Sequence, residues 1–146
     1  MGRRVLVSGD RWWNDREMIR RWLHDKNREN PITVLIEGEA DGADKIAREI
    51  AEEMGIPVDP YPADWLRYKK AAGPIRNSQM LTEGKPDLVG AFHDELWDKS
   101  RGTKDMVEKS TKAGVPTEWM NHKHAGKILH LFRGERDRIE WTETDW

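Results

Sequence analysis

The sequence has no cysteine in its 146 residues. That absence excludes a disulfide framework, a thiolate nucleophile and a thiolate metal site. Long apolar runs are missing too: none approaches the roughly 20 residues that a membrane-spanning helix requires. The opening Met1-Gly2-Arg3-Arg4 runs directly into a strand-like stretch, without the apolar core and small-residue cleavage site of a secretory leader. A cytoplasmic location and no membrane partner are therefore expected. Neither sign of charge dominates. The 25 Lys and Arg face 27 Asp and Glu, a net charge of −2, which argues against a dedicated nucleic-acid binder. Residues 1–30 are locally basic, with eight Arg or Lys against five Asp or Glu. A solvated helix of mixed charge is the simpler account of that excess. Phe and Tyr number only two each, whereas Trp numbers eight; scattered as they are, the tryptophans read mostly as packing residues.

The length suits one domain with a hydrophobic core, and the pattern along the chain is β-α-β-α. Arg4–Ser8, Ile32–Ile36, Asp87–Phe92 and Val115–Trp119 read as strands, and Ile56-Pro57-Val58 opens a shorter one. The prolines at 57 and 60 assign this short strand to a sheet edge, because they cannot donate ladder bonds. A helix is expected from about Asp15, capped by Asn14 and with Glu17 returning a bond. Met18, Ile19, Trp22 and Leu23 form its apolar stripe. A second helix buries Ala43, Ile46, Ala47, Ile50 and Ala51 and stops at Gly55. A stretch from Asp64 to Ala72 is interrupted by Gly73-Pro74, which suits the first turn of a further helix running to Gly84. The last helix starts at Gly102-Thr103, turns Met106 and Val107 inward and stops at Gly114.

Strands that are apolar without alternation, separated by helices, predict a doubly wound Rossmann-like α/β domain of about five parallel strands over residues 1–120. Residues 121–146 form a C-terminal extension. Within it, Lys127–Phe132 and Asp137–Thr142 read as a β-hairpin that extends the sheet edge, covers a face or mediates dimer contacts.

In such a sheet, ligands bind outside the carboxyl ends of the strands, where strand order reverses. Three of the loops there have the composition that anion binding requires: Ser8-Gly9-Asp10-Arg11, Gly38 through Asp41, Gly42 and Asp44, and Ser100-Arg101-Gly102-Thr103. Glycine admits backbone N–H groups close to a phosphate, and a following helix N-terminus adds partial positive charge. The hydroxyls of Ser8, Ser100 and Thr103 and the guanidinium groups of Arg11 and Arg101 can bind the same oxygens. Arg76-Asn77, opening a helix, offers a planar fork and an amide. Neither a G-x-G-x-x-G fingerprint nor a Walker A loop is present. The acidic loop His93 to Asp98 could place Asp94 or Glu95 beside a Mg²⁺ ion or a leaving group, although an exposed polar loop explains it as well. His122-x-His124 has no further ligands nearby and reads as surface histidine. Asp64-Trp65 reads as a helix cap with a packing residue, and Trp65 or Tyr68 could alternatively stack on a base.

The ordered set Val-Ser-Gly-Asp-Arg, Glu-Gly-Glu-Ala-Asp-Gly-Ala-Asp, Pro-Ala-Asp-Trp, Ala-Gly-Pro-Ile-Arg-Asn-Ser-Gln-Met and Arg-Gly-Thr-Lys-Asp-Met resembles the SLOG superfamily, and most closely its YspA/YpsA-related branch, over residues 3 to 118. The resemblance implies a Rossmann-like fold that binds a nucleotide or nucleotide-derived small molecule, with no cofactor required, and a homo-oligomer. It maps Gly9, Gly38, Gly42, Asp44, Arg76, Asn77, Gly102 and Thr103 onto ligand-binding positions. Relatives include phosphoribohydrolases, whose Pro-Gly-Gly-x-Gly-Thr-x-x-Glu loop ends in a catalytic glutamate. Here the loop reads Asp98-Lys99-Ser100-Arg101-Gly102-Thr103-Lys104-Asp105-Met106. A thioether cannot serve as a general acid or base, and Asp105, one residue away, is turned by about 100° on the helix. The expectation is ligand binding for sensing or sequestration. An N-glycosidase-like hydrolase using Asp94, Glu95 or Asp105 is the first alternative. A single-stranded nucleic-acid binder using Arg16, Arg20, Arg21 and Arg28 is the second.

Overall fold

The computed structural model describes residues 2–146. Strands β1 (Arg3–Gly9), β2 (Ile32–Glu37), β3 (Val58–Pro60), β4 (Leu88–Phe92), β5 (Thr117–Met120), β6 (Lys127–Arg133) and β7 (Ile139–Asp145) join in one seven-stranded sheet of order β3-β2-β1-β4-β5-β6-β7. The first five run parallel, and β6 and β7 continue the sheet antiparallel beyond β5. The short strand with two prolines is at the edge, as its composition requires. The reversal of strand order falls between β1 and β4, the place where a ligand crevice forms in sheets of this kind.

Successive residues of β1 bury on opposite faces, and this explains why the strand is apolar throughout. Val5 and Val7 pack with Ile19, Trp22 and Leu23 of helix α1 (Arg16–Glu29) and with Ile46, Ala47 and Ile50 of α2 (Ala43–Glu53). Leu6 and Ile36 pack on the other face with Met80 of α4 (Ala72–Thr82) and Met106 of α5 (Gly102–Lys112). A four-residue helix, α3 (Trp65–Tyr68), and a 3₁₀ turn precede α4. Pro74 falls in the first turn of α4, where its missing N–H costs nothing. Gly55 and Gly114, at φ +73° and +75°, end α2 and α5 in the left-handed conformation.

Several details depart from the sequence expectations. The cap of α1 is Asp15, whose carboxylate accepts from the Met18 N–H at 3.1 Å, and not Asn14. Of the tryptophans, Trp13, Trp22 and Trp119 are buried, but Trp12 and Trp65 are 81% and 57% exposed. Trp12 lies in the turn after β1, and Trp65 opens the short helix α3. Of the three roles open to the hairpin, the sheet extension is the one adopted: β6 pairs with β5 through Thr117↔Leu131. Its second strand begins two residues later than the pattern predicts, because Glu135–Asp137 form a 3₁₀ turn with Arg136 and Asp137 at positive φ.

Trp22 is the largest fully buried side chain. Its ring lies on Gly90 of β4, so close that a Cβ there would sit 2.7 Å from Cζ2. Its indole N–H donates to Glu118 at 3.0 Å, and Glu118 pairs with the buried Lys26 at 2.9 Å. Neither charge is left without a partner, as burial demands. The Gly90→Ala variant is expected to lose about 1–3 kcal/mol of stability through overpacking. The check is the midpoint of chemical denaturation; an unchanged midpoint would show that the indole can move aside.

Candidate functional site

The loops at the carboxyl ends of β1, β2 and β4 touch through their backbones. Asp10 N–H donates to Phe92 O at 2.9 Å, and Ala43 N–H donates to Asp10 O at 3.2 Å. Gly9 permits this: a Cβ there would lie 2.6 Å from the Ala43 Cβ. Gly42 has φ +73°, and any side chain on it would strike the carbonyls of Asp10 and Arg11. Both glycines are therefore required by the fold itself.

The β2 loop is held from two sides. Asp44, on the first turn of α2, is 4% exposed and accepts the N–H groups of Gly38 at 3.0 Å and Ala40 at 3.4 Å. From the opposite face of the sheet, Arg76 of α4 donates through Nη1 to the carbonyls of Gly38 and Tyr61, and through Nε to Asn77 Oδ1 at 3.1 Å. A Cβ on Gly38 would collide with the guanidinium group. Arg76 Nη2 has no protein partner among the described residues, so part of the fork remains available. Asn77 is 2% exposed, and its amide donates to Gly102 O at 3.0 Å and Asp105 Oδ2 at 3.1 Å. It joins α4 to the start of α5 and works from behind the cradle.

Gly102 differs from the other loop glycines. It opens α5, has no left-handed φ, and a Cβ there would meet nothing within 4 Å. The capping position, Arg101, supplies no side-chain bond. Lys104 N–H is taken by Ser100 Oγ at 3.0 Å and Asp105 N–H by Arg101 O at 2.9 Å. The N–H groups of Gly102 and Thr103 have no protein partner among the described residues, and they head the helix where its dipole favours an anion.

Around this chain of contacts, Arg11, Asp41 and Arg101 are exposed, while Ser8 and Thr103 are buried. Asp10 uses its carboxylate on the Trp12 N–H at 3.0 Å. Met106 is fully buried beneath the sheet with Leu6, Ile36, Met80 and Val89; the position where the hydrolases carry glutamate points into core. Asp105 faces α4 and pairs with Lys109 at 2.9 Å. The sequence reading missed Glu37, which ends β2 fully buried and bonds the Glu39 N–H at 2.7 Å and Arg48 at 3.3 Å. An acid closing an apolar, doubly covered strand was the available signal. Burial pushes Glu37 up to about 7, and the Asp44 carboxylate adds to that. Burial likewise raises Asp44 to about 6, against the pull of the Arg76 guanidinium and its two N–H donors.

The acidic loop after β4 is engaged by the tail. Glu95 pairs with Lys123 at 2.9 Å. Asp94 accepts His122 N–H at 2.7 Å and His122 Nδ1 at 2.8 Å, while His122 Nε2 reaches Asp15 at 2.8 Å. The His122 ring stacks on Trp13 at 4.8 Å. A surface histidine in the sequence is thus a bridge between two strand-end loops. Two open clefts lie elsewhere. One of about 440 Å³ runs between α5 and the hairpin and is lined by Trp97 and Trp141; one of about 700 Å³ lies beside α1 and Trp146.

Two comparisons bear on this arrangement. The family described as YspA, cpYpsA-related SLOG matches residues 3–68, which take in β1, β2 and the two loops joined at Gly42. The chain is also 38% identical over 120 residues to the Gene 61 protein of Mycobacterium phage D29, an alignment spanning 78% of this chain and 93% of that protein.

Hydrogen bonds that the His122 ring donates to Asp15 and Asp94 raise its pKa. For Asp94, burial works upward, but the backbone and ring bonds from His122 outweigh it and the net shift is downward. A histidine whose folded pKa exceeds its unfolded value of about 6.5 stabilises fully below that pH, and the contribution is lost as pH rises through the folded value. A depressed aspartate contributes above its unfolded value of about 3.9 and loses that as pH falls through its folded value. The melting-temperature difference between the protein and its His122→Ala variant is therefore expected to be greatest near pH 4–6 and to shrink toward alkaline pH. A difference independent of pH would mean that the bridge is not ionic.

Proposed function

The chain belongs to the YspA, cpYpsA-related SLOG family, and on that footing we propose that it binds a nucleotide or nucleotide-derived anion, for sensing or sequestration, at the carboxyl ends of β1, β2 and β4. The observation that carries the proposal is the open position at Gly102. Gly9, Gly38 and Gly42 lack a side chain because the surrounding fold occupies the space. Gly102 faces nothing, at a helix start with two unpartnered N–H groups. In the proposed complex a phosphate receives these N–H groups and the cations of Arg11 and Arg101. Arg76 Nη2 reaches the ribose side. Asp44 and Asn77 act as positioning residues, fixing the Gly38 loop and the α5 start. No cofactor is required; a Mg²⁺ ion would enter as a companion of the phosphate.

The hydrolase alternative draws no support from position 106. Met106 lies in the apolar layer, Asp105 is spent on Asn77 and Lys109, and Asp94 and Glu95 are paired with His122 and Lys123. The nucleic-acid alternative relies on arginines that already have acidic partners. Arg16 pairs with Glu49 at 2.9 Å, Arg20 with Glu53 at 2.7 Å, and Arg21 and Arg28 with Asp25 at 4.0 and 3.4 Å. That is the mixed-charge helix of the simpler account.

The test is calorimetric titration with adenosine and guanosine 5′-monophosphates and ribose 5-phosphate, with chromatography of the same samples. Binding with recovery of intact ligand is expected, and Gly102→Val should weaken it more than ten-fold while leaving the melting temperature of the free protein close to wild type. Binding unaffected by the substitution would remove the phosphate from this helix start, and release of free base would replace sequestration with hydrolysis. Met106→Glu offers a separate check on catalysis. It is expected to destabilise by about 3–5 kcal/mol, as an unpaired buried charge does, and to produce no base release; a stable, hydrolytic variant would reverse that conclusion.

A further inference from the structure

Trp65 is exposed without being remote from the cradle. It opens α3, just after the edge strand β3, where Asp64 caps the short helix by accepting the Arg67 N–H at 3.1 Å. Its indole is 57% exposed, yet it is not free in solvent. The ring edge, Cζ's neighbour Cη2, lies 3.5 Å from where a Cβ on Gly73 would stand. Gly73 is in the first turn of α4, three and four residues before Arg76 and Asn77, and residues at those spacings share a helix face. Asn77 in turn bonds the Gly102 carbonyl at 3.0 Å. The indole, Arg76, Asn77 and the open start of α5 therefore follow one another on the same side of the sheet. Gly73, which the ring edge meets, stands about one turn of helix, ~6 Å along the axis, from the Arg76–Asn77 pair.

That span is what a ribose occupies between a phosphate and a base. We propose that Trp65 is the platform on which the aromatic base of the ligand stacks, so that the site selects a phosphorylated ribose carrying a planar base over one without it. The proposal rests on the phosphate cradle at Gly102. An indole suits the role because base stacking needs a flat apolar face and is tolerant of base identity. The ring edge rests over Gly73, where even a Cβ would stand at ordinary contact distance, 3.5 Å. Trp12, the other highly exposed tryptophan, precedes α1 on the opposite helix layer and has no such connection to Arg76. It serves as the internal control.

The experiment compares the binding of adenosine 5′-monophosphate and ribose 5-phosphate to wild type, Trp65→Ala, Trp65→Phe and Trp12→Ala by calorimetry, with the oligomeric state followed by light scattering. Wild type is expected to prefer the nucleotide about ten-fold or more, the scale of one base–aromatic stack. Trp65→Ala should abolish the preference with ribose 5-phosphate affinity unchanged. Trp65→Phe should retain most of it, and Trp12→Ala all of it. Ribose 5-phosphate binding with a preference untouched by Trp65→Ala overturns the assignment of Trp65 alone. A wild type with no preference does the same, and a Trp65→Ala variant altered in oligomeric state but not in nucleotide affinity overturns it and makes the indole a contact between copies. If neither compound binds wild type, the phosphate cradle itself has failed and this inference with it.

Discussion

The backbone of Gly38 is gripped from both sides of the sheet. Its N–H is held by Asp44 from the α2 layer, and its carbonyl by Arg76 from the α4 layer. The two helix layers of a doubly wound domain are otherwise separated by the sheet, so a single residue bonded to both sets the height of each helix relative to the strand ends. Much else depends on it. With α2 fixed, Gly42 can be pressed against Asp10 and Arg11; with α4 fixed, Asn77 can reach the Gly102 carbonyl and set the start of α5. The cost is a carboxylate taken out of water at Asp44, offset by two backbone N–H donors and the nearby guanidinium.

This clamp divides the residues at the strand ends into two kinds. Asn77 is buried with its amide oxygen and nitrogen bonded to protein groups, and buried Asp44 takes two backbone N–H groups on one carboxylate oxygen, so in the proposed complex both hold loops in place. Arg76 is shared, with Nε and Nη1 committed to the clamp and Nη2 uncommitted. Among the described residues, the N–H groups of Gly102 and Thr103 and the guanidinium groups of Arg11 and Arg101 have no such commitments. Methionine at position 106, where the phosphoribohydrolases carry glutamate, is consistent with the same division. On α5 the position faces the sheet, and with Leu6, Ile36, Met80 and Val89 around it a thioether fills space that a charged group would have to be paired to occupy.

The residues after β5 contribute more than two extra strands. His122 lies between Asp15, the cap of α1, and Asp94, in the loop after β4, and Lys123 holds Glu95. The loops at the β1/β4 reversal point are thereby tied to the tail. Ring stacking on Trp13 orients the imidazole toward both carboxylates at once, an arrangement favoured when the ring carries both protons.

The sequence alone determined the succession of elements, the helix stripes, the edge position of β3 and the loops at which a ligand would meet the sheet. These follow from local causes: periodicity of apolar residues, prolines without an N–H, and glycines ending helices. It also put methionine at position 106, where the phosphoribohydrolases it resembles carry glutamate. Only the tertiary structure decided which of the site residues face outward. Gly9 and Gly102 look alike in sequence, as do Asp41 and Asp44, yet one glycine is filled by its neighbours and one aspartate is buried. Asn14, the cap expected from the sequence, gives way to Asp15, whose carboxylate reaches the Met18 N–H. His122 found Asp15 and Asp94, 107 and 28 residues away. Exposure, pairing and burial belong to contacts between distant segments, and no local pattern encodes a partner that only the closed sheet brings into reach.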